Sequence, residues 1–186
     1  MQKYKVLLIL IVMLIIVFPL NAQDDDEGGL APDDDPIFAT ITLQQGFSPD
    51  PWLVTILAGG TVNMAEVDGA DGCLGGVGEI PDVKIEWLED SDGAIRLFFN
   101  SLDDTTIVVQ TPDGEFICND DNGLPNANPL DPAIILSEPV AGIYNVWIGT
   151  YLADRLAPGY LVITEFAETF PGQIVSSLFG TIVEPD

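Results

Sequence analysis

The sequence predicts an all-β chain folded as a single-domain, antiparallel, jelly-roll-like β-sandwich. Three observations predict it. Short apolar runs alternate with Gly, Pro, Asp and Asn clusters, no window carries a sustained helical period, and fourteen prolines with eighteen glycines would interrupt most helices. Strands are expected at 38–43, 52–57, 61–67, 83–88, 94–101, 105–111, 115–118, 133–137, 142–151 and 159–166.

Side chains on a strand alternate between faces, so each run also predicts an inside. In AIRLFFNS, Ile95, Leu97 and Phe99 share the core face, with Arg96, Phe98 and Asn100 opposite. In IYNVWIGTY, Tyr144, Val146 and Ile148 point inward. Asn145 and Trp147 are then left on the outer face or beneath a covering loop, which marks them as a candidate ligand platform.

The ends differ from this pattern. Residues 1–22 combine Lys3 and Lys5, the apolar run VLLILIVMLIIVF, a break at Pro19 and Ala22 before Gln23, which reads as a signal peptide in preference to a retained anchor. No cysteine follows the run, so a lipoprotein is not expected. Residues 23–36, QDDDEGGLAPDDDP, hold seven carboxylates and almost nothing to bury, so a disordered acidic linker is expected ahead of a domain spanning 37–166. The tail, 167–186, is apolar enough for an additional edge strand around Ile174 to Leu178.

Beyond the signal segment, thirty carboxylates face only Lys84, Arg96 and Arg155. Such a chain repels phosphate backbones and anionic membrane surfaces, so no nucleic-acid binding and no stable membrane insertion after signal cleavage are expected. Its localisation is expected to be extracellular or in the cell envelope. There the two cysteines, Cys73 and Cys118, are expected to pair as a structural disulfide.

Acidic turns are the candidate cation ligands. Asp113-Gly114 after Pro112 is a hairpin signature, and the following Cys118-Asn119-Asp120-Asp121-Asn122-Gly123 is dense in oxygen donors. The run fails the helix-loop-helix calcium pattern, because Cys118 stands where its first carboxylate belongs. If 94–101 and 105–111 pair as a hairpin, however, Asp103 and Asp104 lie at the end of the sheet to which Asp120 and Asp121 return. Four converging carboxylates would repel one another unless a cation such as Ca2+ neutralised them.

The succession DTT-IVVQTPDG-x-F-x-CNDD, then NP-x-I-x-L and G-x-Y-x-VWIGTY, preceded by GFSPDP, Cys73-Leu74-Gly75-Gly76 and PDVKIEW, resembles the pre-peptidase C-terminal domains of exported bacterial proteins over about residues 44–166. That resemblance implies a bacterial, non-catalytic jelly-roll-like module, attached in many proteins to secreted peptidases, with calcium-binding members and a role in substrate binding or secretion. This chain departs from the pattern in bringing no catalytic domain.

Enzyme chemistry finds little support. Histidine is absent, which removes Ser-His and Cys-His nucleophiles and the usual zinc ligands. Asp103-Asp104-Thr105 lacks the glycine of an aspartic protease motif. The expected function is therefore a non-catalytic module that binds an extracellular protein or polysaccharide, with calcium as a stabilising cofactor. The alternatives are a small carboxylate-dependent hydrolase and a carbohydrate-binding module using Trp52, Trp87, Trp147, Tyr151 and Tyr160.

Overall fold

The computed structural model describes residues 29–123, 128–152, 155–167 and 169. The signal segment, the start of the acidic linker and the expected edge strand at 174–178 lie outside the described residues. The elements are β1 (Ala39–Leu43), β2 (Trp52–Ala58), β3 (Val62–Asn63), a 3-10 turn (Met64–Glu66), β4 (Gly76–Val77), β5 (Val83–Trp87), β6 (Ala94–Ser101), β7 (Thr105–Gln110), β8 (Phe116–Asn119), β9 (Ala133–Ser137), β10 (Gly142–Thr150) and β11 (Ala157–Thr164). No helix among the described residues is long and apolar enough to cross a membrane.

Two sheets face each other as a β-sandwich. In the larger one β10 is central: β5 and then β1 lie along one edge, with β4 and β3 beyond the end of β5, while β7 and β8 lie along the other. The smaller sheet runs β2-β11-β6-β9. Ile95, Leu97 and Phe99 meet Tyr144, Val146 and Ile148 in the shared core, as alternation predicts.

Three local expectations are corrected. The run 61–67 is not a strand throughout, because Asn63 caps a 3-10 turn: its side chain accepts from the Ala65 amide at 3.2 Å and donates to Glu66 at 2.8 Å. The strands β6 and β7 do not form a hairpin; residues 102–104 carry the chain from the smaller sheet to the larger one. The Ser101 hydroxyl holds that corner, donating to the Pro158 carbonyl at 3.0 Å and accepting from the Asp103 amide at 3.2 Å. Nor is the acidic segment a free linker through Pro36. The Ala31 amide donates to the Glu79 carbonyl at 2.8 Å, and Leu30 packs into a hydrophobic cluster on the larger sheet.

Among the described residues the sandwich also has one parallel pair, β1 against β5 from Ala39↔Val83 to Leu43↔Trp87. Between β1 and β5 the chain visits the other sheet, so it can return alongside β1 without a tight turn.

Asp82 fills a gap in the central ladder. The β5 pairing with β10 ends at Val83↔Val146, and β4 meets β10 only at Thr150↔Gly76. Between them the Ile148 amide donates to the Asp82 carboxylate at 2.6 Å, and the Ile148 carbonyl accepts from the Gly59 amide at 2.9 Å. Asp82 is only 4% exposed, and burial pushes its carboxyl up from 3.8 to about 7 despite the Ile148 hydrogen bond.

A raised folded-state pKa means that the native state holds the proton more tightly than the unfolded chain, so stability falls as pH rises from about 4 to about 7. Replacing Asp82 with Asn keeps an acceptor for Ile148 and removes the charge. The variant is expected to match the wild type near pH 4 and to exceed it by about 4 kcal/mol above pH 7.5, measured by urea unfolding across pH. Parallel pH profiles for the two proteins would refute this assignment.

Candidate functional site

The outward face of the larger sheet is divided into two by its side chains. One cross-strand row, Trp147↔Val108 and Val108↔Cys118, is apolar. The next, Thr40↔Lys84, Lys84↔Asn145 and Asn145↔Gln110, is polar.

A flap made of β3, the 3-10 turn and the loop to β4 covers the apolar row. Val62, Met64, Ala70, Cys73 and Val77 surround Trp147, which is fully buried, with its ring centroid 6.4 Å from that of Phe116. The Trp147 indole N–H donates to the Glu79 carbonyl at 3.3 Å. Gly149 lets the flap close on β10, since a Cβ there would meet the Gly76 carbonyl oxygen at 2.7 Å. The disulfide Cys73–Cys118, with Cα atoms 5.5 Å apart, fastens the flap to β8.

Trp147 therefore cannot serve as a ligand platform. Alternation placed it correctly on the outward face, but a separate core closes over it. Trp87 is also buried, so the three tryptophans do not form an exposed aromatic surface for sugars.

Asn145 behaves differently. Its Nδ2 donates to Gln110 Oε1 at 3.2 Å, while its Oδ1 is buried without a hydrogen-bond partner. It lines a groove of about 640 Å3 with Pro32, Lys84, Gln110, Thr111 and Gly142. The hairpin tip at Pro112-Asp113-Gly114 forms one wall, braced by the Thr111 hydroxyl donating to Asp113 at 2.5 Å. That hydrogen bond also lowers the Asp113 pKa. Lys84 and Gln110 were not singled out in the sequence, although the outward positions of VKIEW and TTIVVQ mark them.

The acidic turns meet in part. Asp104 stands near Asp120 and Asp121: its carboxyl is pushed up first by burial, then by the charges of Asp121 and Asp120. Asp103 instead reaches the exposed Arg155 at 3.4 Å. The amides of the neighbouring turn are engaged structurally. Asn119 accepts from the Ala133 amide at 2.8 Å and donates to the Asp121 carbonyl at 2.9 Å, while Asn122 donates to the Asn128 and Asp131 carbonyls. Asp131, which the sequence did not mark, is buried and ties this loop to β6 by accepting from Asn100 at 2.8 Å and from the Ser101 amide at 3.2 Å. Among the described residues, no three His, Cys, Asp or Glu side chains stand close enough together to hold a metal ion.

Fold and site together define a disulfide-stapled β-sandwich with one open polar face. No protein-family model matches the chain, and no curated protein matches it. Among solved structures, PliG of Aeromonas hydrophila, a periplasmic inhibitor of g-type lysozyme, is similar at 13% identity and a TM-score of 0.32, covering 68% of this chain and 96% of its own. No functional inference follows from a likeness at that level.

The staple closes a loop of 45 residues in sequence separation. Replacing Cys73 and Cys118 with Ser is expected to lower the unfolding free energy by about 4 kcal/mol in urea titrations, chiefly by freeing the unfolded chain. Equal stability with and without the bond would show that the flap closes without it.

Proposed function

We propose that the protein is an exported, non-catalytic binding module that takes an extended polar chain, of extracellular protein or polysaccharide, along the groove beside the β7–β8 hairpin. The unpartnered Oδ1 of Asn145 carries this reading. A buried acceptor without a partner costs about 1–3 kcal/mol, a cost that a ligand N–H or O–H would remove. Lys84 adds a cation to the same row, where it would favour ligands with carboxylate or hydroxyl groups. The signal-like start at residues 1–22 supports export. A non-catalytic role accords with the settings of the two most buried carboxyls: Asp82 is held by backbone and Asp131 by Asn100 and Ser101, and neither lines the groove.

The test is selection of wild-type binders from a peptide-display library and from immobilised polysaccharides, followed by titration against Lys84→Ala/Asn145→Ala. At least a tenfold loss of affinity is expected, about 1.4 kcal/mol. Binders unaffected by the double substitution would place the site elsewhere, and the absence of any binder in both panels would end the proposal. The class that yields binders identifies the partner.

Calcium is the second reading, favoured by the mutual repulsion at Asp104. Asp104, Asp120 and Asp121 are the residues that would hold the ion. Among the described residues no three such groups already stand within reach of one ion, so backbone or amide oxygens would have to complete the site or the two turns would have to draw together. Weak affinity is expected, in the range of about 10−4 to 10−3 M known for extracellular calcium modules. About 10 mM Ca2+ should then raise Tm by about 4–10 °C over a chelator control, and Asp104→Asn should abolish the increment. Identical melting curves with calcium and with chelator would dismiss the ion.

A further inference from the structure

The floor of the groove beside the β7–β8 hairpin presents its hydrogen-bonding groups in a fixed order. Register sets Lys84, Asn145 and Gln110 side by side on β5, β10 and β7, with neighbouring strands about 4.8 Å apart. The Asn145 amide commits its donor end to Gln110 Oε1, at 3.2 Å, and keeps Oδ1 as an acceptor. The same hydrogen bond leaves Gln110 Nε2 unused. Among the described residues Lys84 Nζ has neither a hydrogen bond nor an ion pair, and neither of these two nitrogens is buried. Across three strands the floor therefore runs donor, acceptor, donor.

A ligand that satisfies this order presents acceptor, donor, acceptor. One edge of an extended peptide does so: the carbonyl of one residue is followed by the N–H and the carbonyl of the residue two positions on, repeating at about 6.8 Å. The row is about 9.6 Å wide between its outer strands, and the long side chains of Lys84 and Gln110 can lean inward to meet the shorter repeat. Since Oδ1 is closed to solvent, a ligand reaches it only when a neighbouring side chain moves. Lys84, beside Asn145 in register, has a flexible four-carbon stem and no partner to hold it in place.

The rest of the lining favours a peptide over a sugar chain. Pro32, Pro112, Ala141 and Ile143 also line the groove, with Ile143 41% exposed, and they offer apolar contact to side chains flanking a bound main chain. Among the described residues no aromatic ring lines it, which leaves a sugar ring no flat face on which to stack. Acidic polysaccharides are disfavoured by charge as well: beyond the signal segment, thirty carboxylates against three cations repel a polyanion, whereas a peptide main chain is uncharged.

We propose that the groove recognises the main chain of an extended peptide segment, an inference that rests on the groove being the binding surface. One ligand N–H donates to Asn145 Oδ1, and the carbonyls on either side of it accept from Lys84 Nζ and Gln110 Nε2. Contacts of this kind engage groups that every residue carries, so binding tolerates changes in the ligand's side chains. The partner is then an exposed, extended segment of an extracellular protein.

The test uses the tightest peptide from the display selection, made synthetically, and titrates it against the full chain. Each ligand amide in turn is N-methylated, and each ligand side chain in turn is cut back to Ala. One N-methyl group is expected to weaken binding at least about tenfold at a residue where Ala costs less than about threefold. Against Asn145→Ala the same N-methyl group should cost nothing further, because the acceptor it blocks is already gone. A groove-bound peptide that tolerates every N-methyl group, or an N-methyl loss that persists undiminished in Asn145→Ala, would overturn main-chain recognition and leave the groove as the binding surface. Polysaccharide binders alone, sensitive to Lys84→Ala/Asn145→Ala, would do the same. The absence of any binder would end both readings together.

Discussion

Strand β10 has to be satisfied on both of its buried edges, and the rest of the larger sheet is arranged around that requirement. The β7 edge is regular, with pairing that runs unbroken from Asn145↔Gln110 to Thr150↔Thr105. The other edge is interrupted, because β5 and β4 leave Ile148 between them. A buried strand cannot leave its amides unpaired. Asp82 substitutes a carboxylate for the missing carbonyl, and Gly59 supplies the missing donor. The short segment 79–82 does more than fill the gap. The Asp82 carbonyl accepts from Phe38 and so sets the approach of β1, while the Glu79 carbonyl accepts from both Ala31 and Trp147. Parallel register, docked N-terminal segment and buried indole therefore share one anchor, at the cost of a carboxyl held in an environment that disfavours its charge.

Strand positions and the core were legible because both depend on near-neighbour pattern. The alternation of AIRLFFNS and IYNVWIGTY leads directly to the residues of the shared core. What covers an outward face is decided by parts of the chain far away in sequence, and alternation says nothing of those. Trp147 was assigned to the correct face and its exposure left open for that reason; of the two exposures left open there, the covered one is found. Asp82 was illegible for a related reason: a lone acid before a strand looks like a turn residue until the ladder it completes is known. The segment 29–36 misleads through composition, since three aspartates dominate the string although Leu30 and one backbone hydrogen bond suffice to dock it.

The acidic end shows a partly correct result reached by an incorrect route. Asp104 was expected near Asp120 and Asp121 through a β6–β7 hairpin, yet β6 and β7 belong to different sheets. The proximity arises because only β7 and its hairpin partner β8 matter. Whatever precedes Thr105 lies at the end opposite Pro112-Asp113-Gly114, and whatever follows Asn119 returns to it. Asp103, one residue earlier, is still part of the crossing between sheets and meets Arg155 instead. One residue of chain thus separates a carboxylate that feels its like-charged neighbours from one that finds a cation.

The two outward faces follow a common rule. A sandwich places half its strand residues outside, and each outward row must be either wet or covered. The row Trp147, Val108 and Cys118 is apolar, and the chain covers it with a flap held by a disulfide. At the centre of the smaller sheet, Phe98 and Val162 are apolar and closed to solvent. The row Thr40, Lys84, Asn145 and Gln110 is polar; apart from the buried Oδ1 of Asn145, water can solvate it, so nothing in folding requires a cover. It stays open, and the hairpin wall beside it turns that open row into a groove. The proposed binding surface is accordingly the part of the sandwich that the hydrophobic effect gave no reason to close.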